Sequence, residues 1–109
     1  TLSKYTMSMI AIRLAEALSK DQIAANTLWP KTTIATAAVQ NLLGGDTLIQ
    51  MSRKPEIVAD AAYYILSRPA ETCTGNFFID EAVLAEEGIT DLSKYSIVPG
   101  GKLYTDLFL

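Results

Sequence analysis

The chain has 109 residues, half of them hydrophobic and 19% charged, which is enough apolar material for one packed domain and too much for a disordered segment. A formal net charge of -3 offers nucleic acid or an anionic membrane no attractive field, and neither is expected as a partner. Histidine is absent and Cys73 is the only cysteine, so the commonest general base is missing, no internal disulfide can form, no metal site is expected, and a reducing, cytoplasmic setting is the default.

From Ser3 to Lys20, apolar residues fall at Met7, Ile10, Ala11, Leu14, Ala15 and Leu18, the three-and-four spacing of a helix with one buried stripe. The run Ile23 to Leu28 is short, mostly apolar and closed by Trp29-Pro30, which predicts a parallel strand covered on both faces. A hydroxyl-rich loop, Thr32 to Thr36, precedes a short helix over Ala37 to Leu43 that Gly44-Gly45 ends. Pro55 opens the next helix, where its missing N–H costs nothing, and Val58, Ala61, Ala62, Ile65 and Leu66 mark its apolar stripe; Pro69 stops it. After the turn at Thr74-Gly75, Asn76 to Asp80 reads as a second strand. One or two helical turns over Ala82 to Glu87 and an irregular tail with Pro99-Gly100-Gly101 complete the chain.

Helix, strand, helix, strand is an α/β order, and a right-handed crossover makes the two strands parallel neighbours. Two parallel strands bury too little to stand alone, so further strands must come from another segment or another chain. The opening at Thr1 rather than Met fits the remainder of something longer. No apolar run approaches the roughly 18 residues of a membrane span.

Three landmarks together resemble the back half of the short-chain dehydrogenase/reductases. Ser3-Lys4 at a helix start is similar to the end of that family's Tyr-x-x-x-Lys motif, whose Tyr would immediately precede Thr1. One helical turn would set that phenol on the face of Lys4, whose ammonium would lower its pKa; Tyr5, adjacent to Lys4, cannot substitute. Asn26-Thr27-Leu28-Trp29-Pro30 resembles the strand ending in Asn-x-x-x-Pro-Gly before the nicotinamide loop, with Lys31 in place of the Gly and a loop one residue longer. Thr74-Gly75 followed by four residues and Asp80 resembles the family's last strand, with details closest to a hydroxysteroid dehydrogenase-like branch. The resemblance covers nearly the whole chain.

It implies the C-terminal part of a Rossmann-like doubly wound parallel sheet, with residues 1–109 the C-terminal portion of one domain whose dinucleotide-binding N-terminal half is absent from this chain. It implies hydride transfer between NADP or NAD and a carbonyl or alcohol substrate, by a fragment inactive on its own. Lys4 is then catalytic and holds the coenzyme's ribose; Pro30, Thr32, Thr33, Ile34 and Thr36 meet the nicotinamide; Trp29, Leu42, Leu43 and Met51 line the substrate side. Each has a plainer reading. Ser3-Lys4 also suits a cap and a solvated lysine, although adjacent helix residues point apart and cannot form a hydrolase dyad. Thr32, Thr33 and Thr36 also suit loop backbone satisfaction. Asp80, Glu81, Glu86 and Glu87 read as solvated surface charge, and Cys73 as an inert thiol. The rival function is a non-catalytic homo-oligomerisation module built on the Pro55–Ser67 helix and the Asn76–Asp80 strand, whose Tyr63, Tyr64, Phe77 and Phe78 supply contact area.

Overall fold

A computed structural model describes residues 2–42 and 46–105. Helix α1 spans Leu2–Leu18, strand β1 Thr27–Trp29, helix α2 Ala37–Leu42, helix α3 Asp46–Gln50, helix α4 Glu56–Leu66, strand β2 Phe77–Ile79 and helix α5 Asp80–Glu86. The two strands pair in parallel, with Thr27 opposite Phe77, Leu28 opposite Phe78 and Trp29 opposite Ile79.

Helix α1 forms where the spacing predicts it, but the stripe is largely open: Met7, Ile10 and Leu14 are 60%, 53% and 47% exposed, and Ala15 is its buried member. The helix packs on β1, and no second layer among the described residues covers its outer apolar face. Its end is chemically explicit. After a 3-10 turn, Gln22 adopts a left-handed φ of 58°, its N–H bonds to Ser19 O, and Ile23 N–H reaches back to Leu18 O. That is the double hydrogen-bond pattern that normally recruits glycine.

Strand β1 begins four residues later than the apolar run suggests and includes Trp29, because Ala25 and Asn26 spend their hydrogen bonds on the turn before β2. Ala25 N–H bonds to Thr74 Oγ1, Gly75 N–H to Ala25 O, Asn26 Nδ2 donates to Cys73 O, and Asn26 Oδ1 accepts from Asn76 N–H. Gly75 supplies the positive φ of 72° that this turn needs. The register of the sheet is therefore set at its lower end by one asparagine.

Two apolar clusters hold α4 and α5 against the sheet. Ala61, Ile65, Cys73 and Val83 pack with Leu28, Tyr64 and Phe78; Ile57, Leu84 and Tyr95 pack with Ile34, Val58, Ile89 and Leu92. The buried line of α4 is thus Ile57, Ala61 and Ile65, whereas Leu66 points outward at 84% exposure. The expected irregular tail is part of the core: Tyr95 is buried, Ser96 bridges Arg53, and Thr105 bridges Thr32. The expected strand at 76–80 is shorter, since Asp80 already begins α5, and α3 fills a stretch with no periodic signal long enough to read.

Candidate functional site

The carboxyl end of β1 delivers Trp29 and Pro30 to the rim of a 410 Å³ groove between α1 and the strand. Lys4, Met7, Ala11 and Leu14 form its helix wall, and Asn26 to Pro30 its floor. Lys4 lies in the first turns of α1, its side chain exposed at the groove's mouth. A second hollow of 380 Å³ again places Lys4 beside Trp29, together with Ser8 and Ile12. Both hollows therefore set Lys4 beside Trp29, the last residue of β1, and α/β proteins bind ligands at that end of the sheet.

Beyond Pro30 the loop is extended and tied down at alternate residues. Lys31 N–H donates to Asp80 Oδ1 at 3.0 Å. Arg53 N–H donates to Thr33 O at 3.0 Å, and Ala35 N–H to Arg53 O at 2.9 Å. Thr33 N–H is taken by Tyr104 O, and its hydroxyl lies 2.7 Å from Ser52 Oγ, which donates in turn to Leu48 O. Thr32 Oγ1 donates to Thr33 O, and Thr36 Oγ1 accepts from Val39 N–H at the start of α2. The three threonine hydroxyls thus serve the loop itself. Ile34, half-buried between these anchors, has no hydrogen bond to its own backbone N–H or C=O among the described residues. Met51 stands next to this network, its carbonyl accepting from Tyr104 N–H.

So the structure gathers Lys4, Trp29 and Pro30 around one groove, and fixes Thr32, Thr33 and Met51 in one hydrogen-bonded assembly that holds Ile34 between its anchors. Thr36 caps α2 at the far end of the loop. The backbone of Leu42 closes α2, but its side chain and all of Leu43 lie outside the described residues.

Asp80 overturns its reading as solvated charge. It is fully buried, and Oδ1 accepts from both Lys31 N–H and, at 2.7 Å, Glu81 N–H. Burial pushes its carboxyl above the usual carboxylate range, opposed by those two N–H groups and by Arg53. Arg53, also buried, pairs with Glu81 Oε2 at 2.8 Å; among the described residues its Nε and Asp80 Oδ2 are left without hydrogen bonds. Glu86 and Glu87 do lie at the surface, where both pair with Arg68. Sequence reading missed Arg53, Ser52, Asp80 and Tyr104 as loop anchors. The one signal for Asp80 was a carboxylate directly after an apolar strand.

Among the described residues no helix is long and apolar enough to cross a membrane. No protein-family model matches the chain. Over its whole length it is 51% identical to hydroxysteroid dehydrogenase-like protein 2 of Xenopus tropicalis and 50% identical to that of Homo sapiens, and it spans 25% of each. The chain thus covers about a quarter of the length of the curated relatives it matches. It superposes on a crystal structure of a short chain dehydrogenase from Mycobacterium thermoresistibile with a TM-score of 0.86 and 56% identity, covering 97% of this chain and 38% of that one. A putative dehydrogenase from Xanthomonas campestris gives a TM-score of 0.86 and 47% identity, covering 94% of this chain and 37% of the other.

Proposed function

We propose, from the premise that this chain belongs to the short-chain dehydrogenase/reductases and shares their Rossmann-like α/β fold, that it forms the nicotinamide-facing wall of an NAD(P)-dependent oxidoreductase. The observation that carries the reading is the convergence of Lys4, Trp29 and Pro30 on one groove at the carboxyl end of β1. The donor set suits a nicotinamide and its ribose. A cation lines the groove, an apolar wall follows, and among the described residues the N–H and C=O of Ile34 take no hydrogen bond, although the other half of each of their peptide units is bonded, so that they would be open to a carboxamide.

When bound, NADP or NAD would supply the carbon that gives or takes hydride. Lys4 would hold the ribose hydroxyls and, by its charge, favour the ionised form of a tyrosine one turn earlier, the acid/base that this chemistry requires. Pro30, Thr32, Thr33, Ile34 and Thr36 would shape the loop against the nicotinamide, while Trp29 and Met51 would face a hydrophobic carbonyl or alcohol substrate. In the intact protein, Lys4→Met is expected to lower coenzyme-dependent turnover by about a hundredfold or more, the usual worth of acid/base assistance. Unchanged turnover, followed as absorbance of the reduced coenzyme, refutes the assignment.

Homo-oligomerisation is supported separately by the outward positions of Tyr63, Leu66 and Phe77 on α4 and β2. Tyr64 and Phe78 belong instead to the apolar core. Sedimentation of the intact protein with Tyr63→Ser and Leu66→Ser together tests this reading. A lower oligomeric state supports it, and an unchanged one removes it.

A further inference from the structure

We propose that Asp80 is the positioning residue of the nicotinamide loop, its carboxylate fixing that loop to the end of β2 through the backbone N–H of Lys31; the inference rests on the dinucleotide reading above. The register of the sheet makes this possible. Trp29 and Ile79 are the last paired residues, so the chain leaves both strands side by side, into the loop on one and into α5 on the other. Asp80, first beyond the pairing, spans the gap at 3.0 Å.

A buried carboxylate is a costly way to satisfy one helix end, because a serine there would bind Glu81 N–H without a desolvated charge. The second bond, to Lys31, is what the longer and charged group adds, since hydrogen bonds to an ionised acceptor are roughly twice as strong as neutral ones. The neighbouring residue extends the same device. Glu81 holds Arg53 by its guanidinium, and the backbone of Arg53 then clasps Thr33 and Ala35. One Asp-Glu step at the head of α5 thereby governs Lys31, Thr33 and Ala35, every second residue of the loop, while the N–H and C=O of Ile34 take no hydrogen bond among the described residues. Release of Lys31 frees the loop at the point where it departs from the groove. The loss falls on whatever contacts the nicotinamide half and spares the adenosine half, which contacts none of these residues in the reading above.

The experiment uses the intact protein and four probes: NADH, NADPH, ADP-ribose and its 2′-phosphate, the last two lacking nicotinamide. Asp80→Ala is expected to weaken binding of the preferred reduced coenzyme about tenfold, the worth of one charge-assisted hydrogen bond, and to leave the matching truncated probe within about twofold. Asp80→Asn, which keeps an acceptor oxygen at the same reach without the charge, is expected to recover about threefold of that tenfold loss. Should Asp80→Ala fail to fold, Asp80→Ser carries the comparison, because its short hydroxyl serves Glu81 N–H and falls short of Lys31. Equal weakening of both probe types, or of neither, overturns the positioning role. Wild-type protein that binds none of the four probes overturns the dinucleotide reading itself, which separates the two failures.

Discussion

Replacing Tyr95 by Phe removes one oxygen and isolates one contact. Tyr95 is 3% exposed, its ring packs with Ile57 and Leu84, and its hydroxyl donates to Asp60 Oδ2 at 2.5 Å. Burial, with the Asp60 carboxylate beside it, pushes the phenol from 10.0 up to about 12. A hydroxyl bonded to a carboxylate is worth about 1.5–3 kcal/mol, which the half-exposed position of Asp60 reduces to about 1–2 kcal/mol. The folded chain holds this proton more tightly than the unfolded one. Its contribution is therefore complete below pH 10 and is lost as pH rises toward 12. Urea unfolding of the wild type and of Tyr95→Phe at pH 7 should show that gap, and at pH 11 the gap should shrink by about half. All other residues are common to the two proteins and cancel in the difference. A gap that is absent at pH 7, or of the same size at both pH values, refutes the argument.

Leu84→Ala empties a fully buried position in the same cluster and is expected to cost about 3–4 kcal/mol, whereas Leu66→Ala, at 84% exposure, should change stability by less than about 0.5 kcal/mol; denaturant midpoints of the two variants check the contrast. Gln22→Gly relieves a left-handed backbone at the end of α1 and should add about 0.5–1 kcal/mol, while Gln22→Val should subtract about as much; thermal unfolding distinguishes the signs.

The α/β order, the parallel pairing and the helices at either side were legible because each rests on local periodicity and turn chemistry: the stripe of α1, Pro55 before α4, Thr74-Gly75 before β2. What escaped reading is what depends on distant partners. Asn26 carries no local sign that it serves residues about fifty positions later, and Ile57 and Leu66 look alike until α5 and Tyr95 cover one and not the other. The apolar stripe of α1 was read correctly as a stripe, yet burial needs a covering layer, and periodicity says nothing of which layer supplies it. At the groove, Lys4, Trp29 and Pro30 were visible as motif residues. The loop anchors were not, because Asp80, Arg53 and Tyr104 act through backbone groups, which any residue type presents.

The fastening of the loop by Tyr104 and Thr105 bears on the order in which this stretch matures during synthesis. Both apolar clusters are complete once Tyr95 has been added, but Thr33 and Met51 wait for a strand of tail made afterwards. Contacts so far apart in sequence are slow to close and come after local ones. A message ending just before Tyr104 would accordingly yield a polypeptide with its interior intact and its loop still clasped by Asp80 and Arg53, lacking the last two fastenings, at Thr33 N–H and Met51 O.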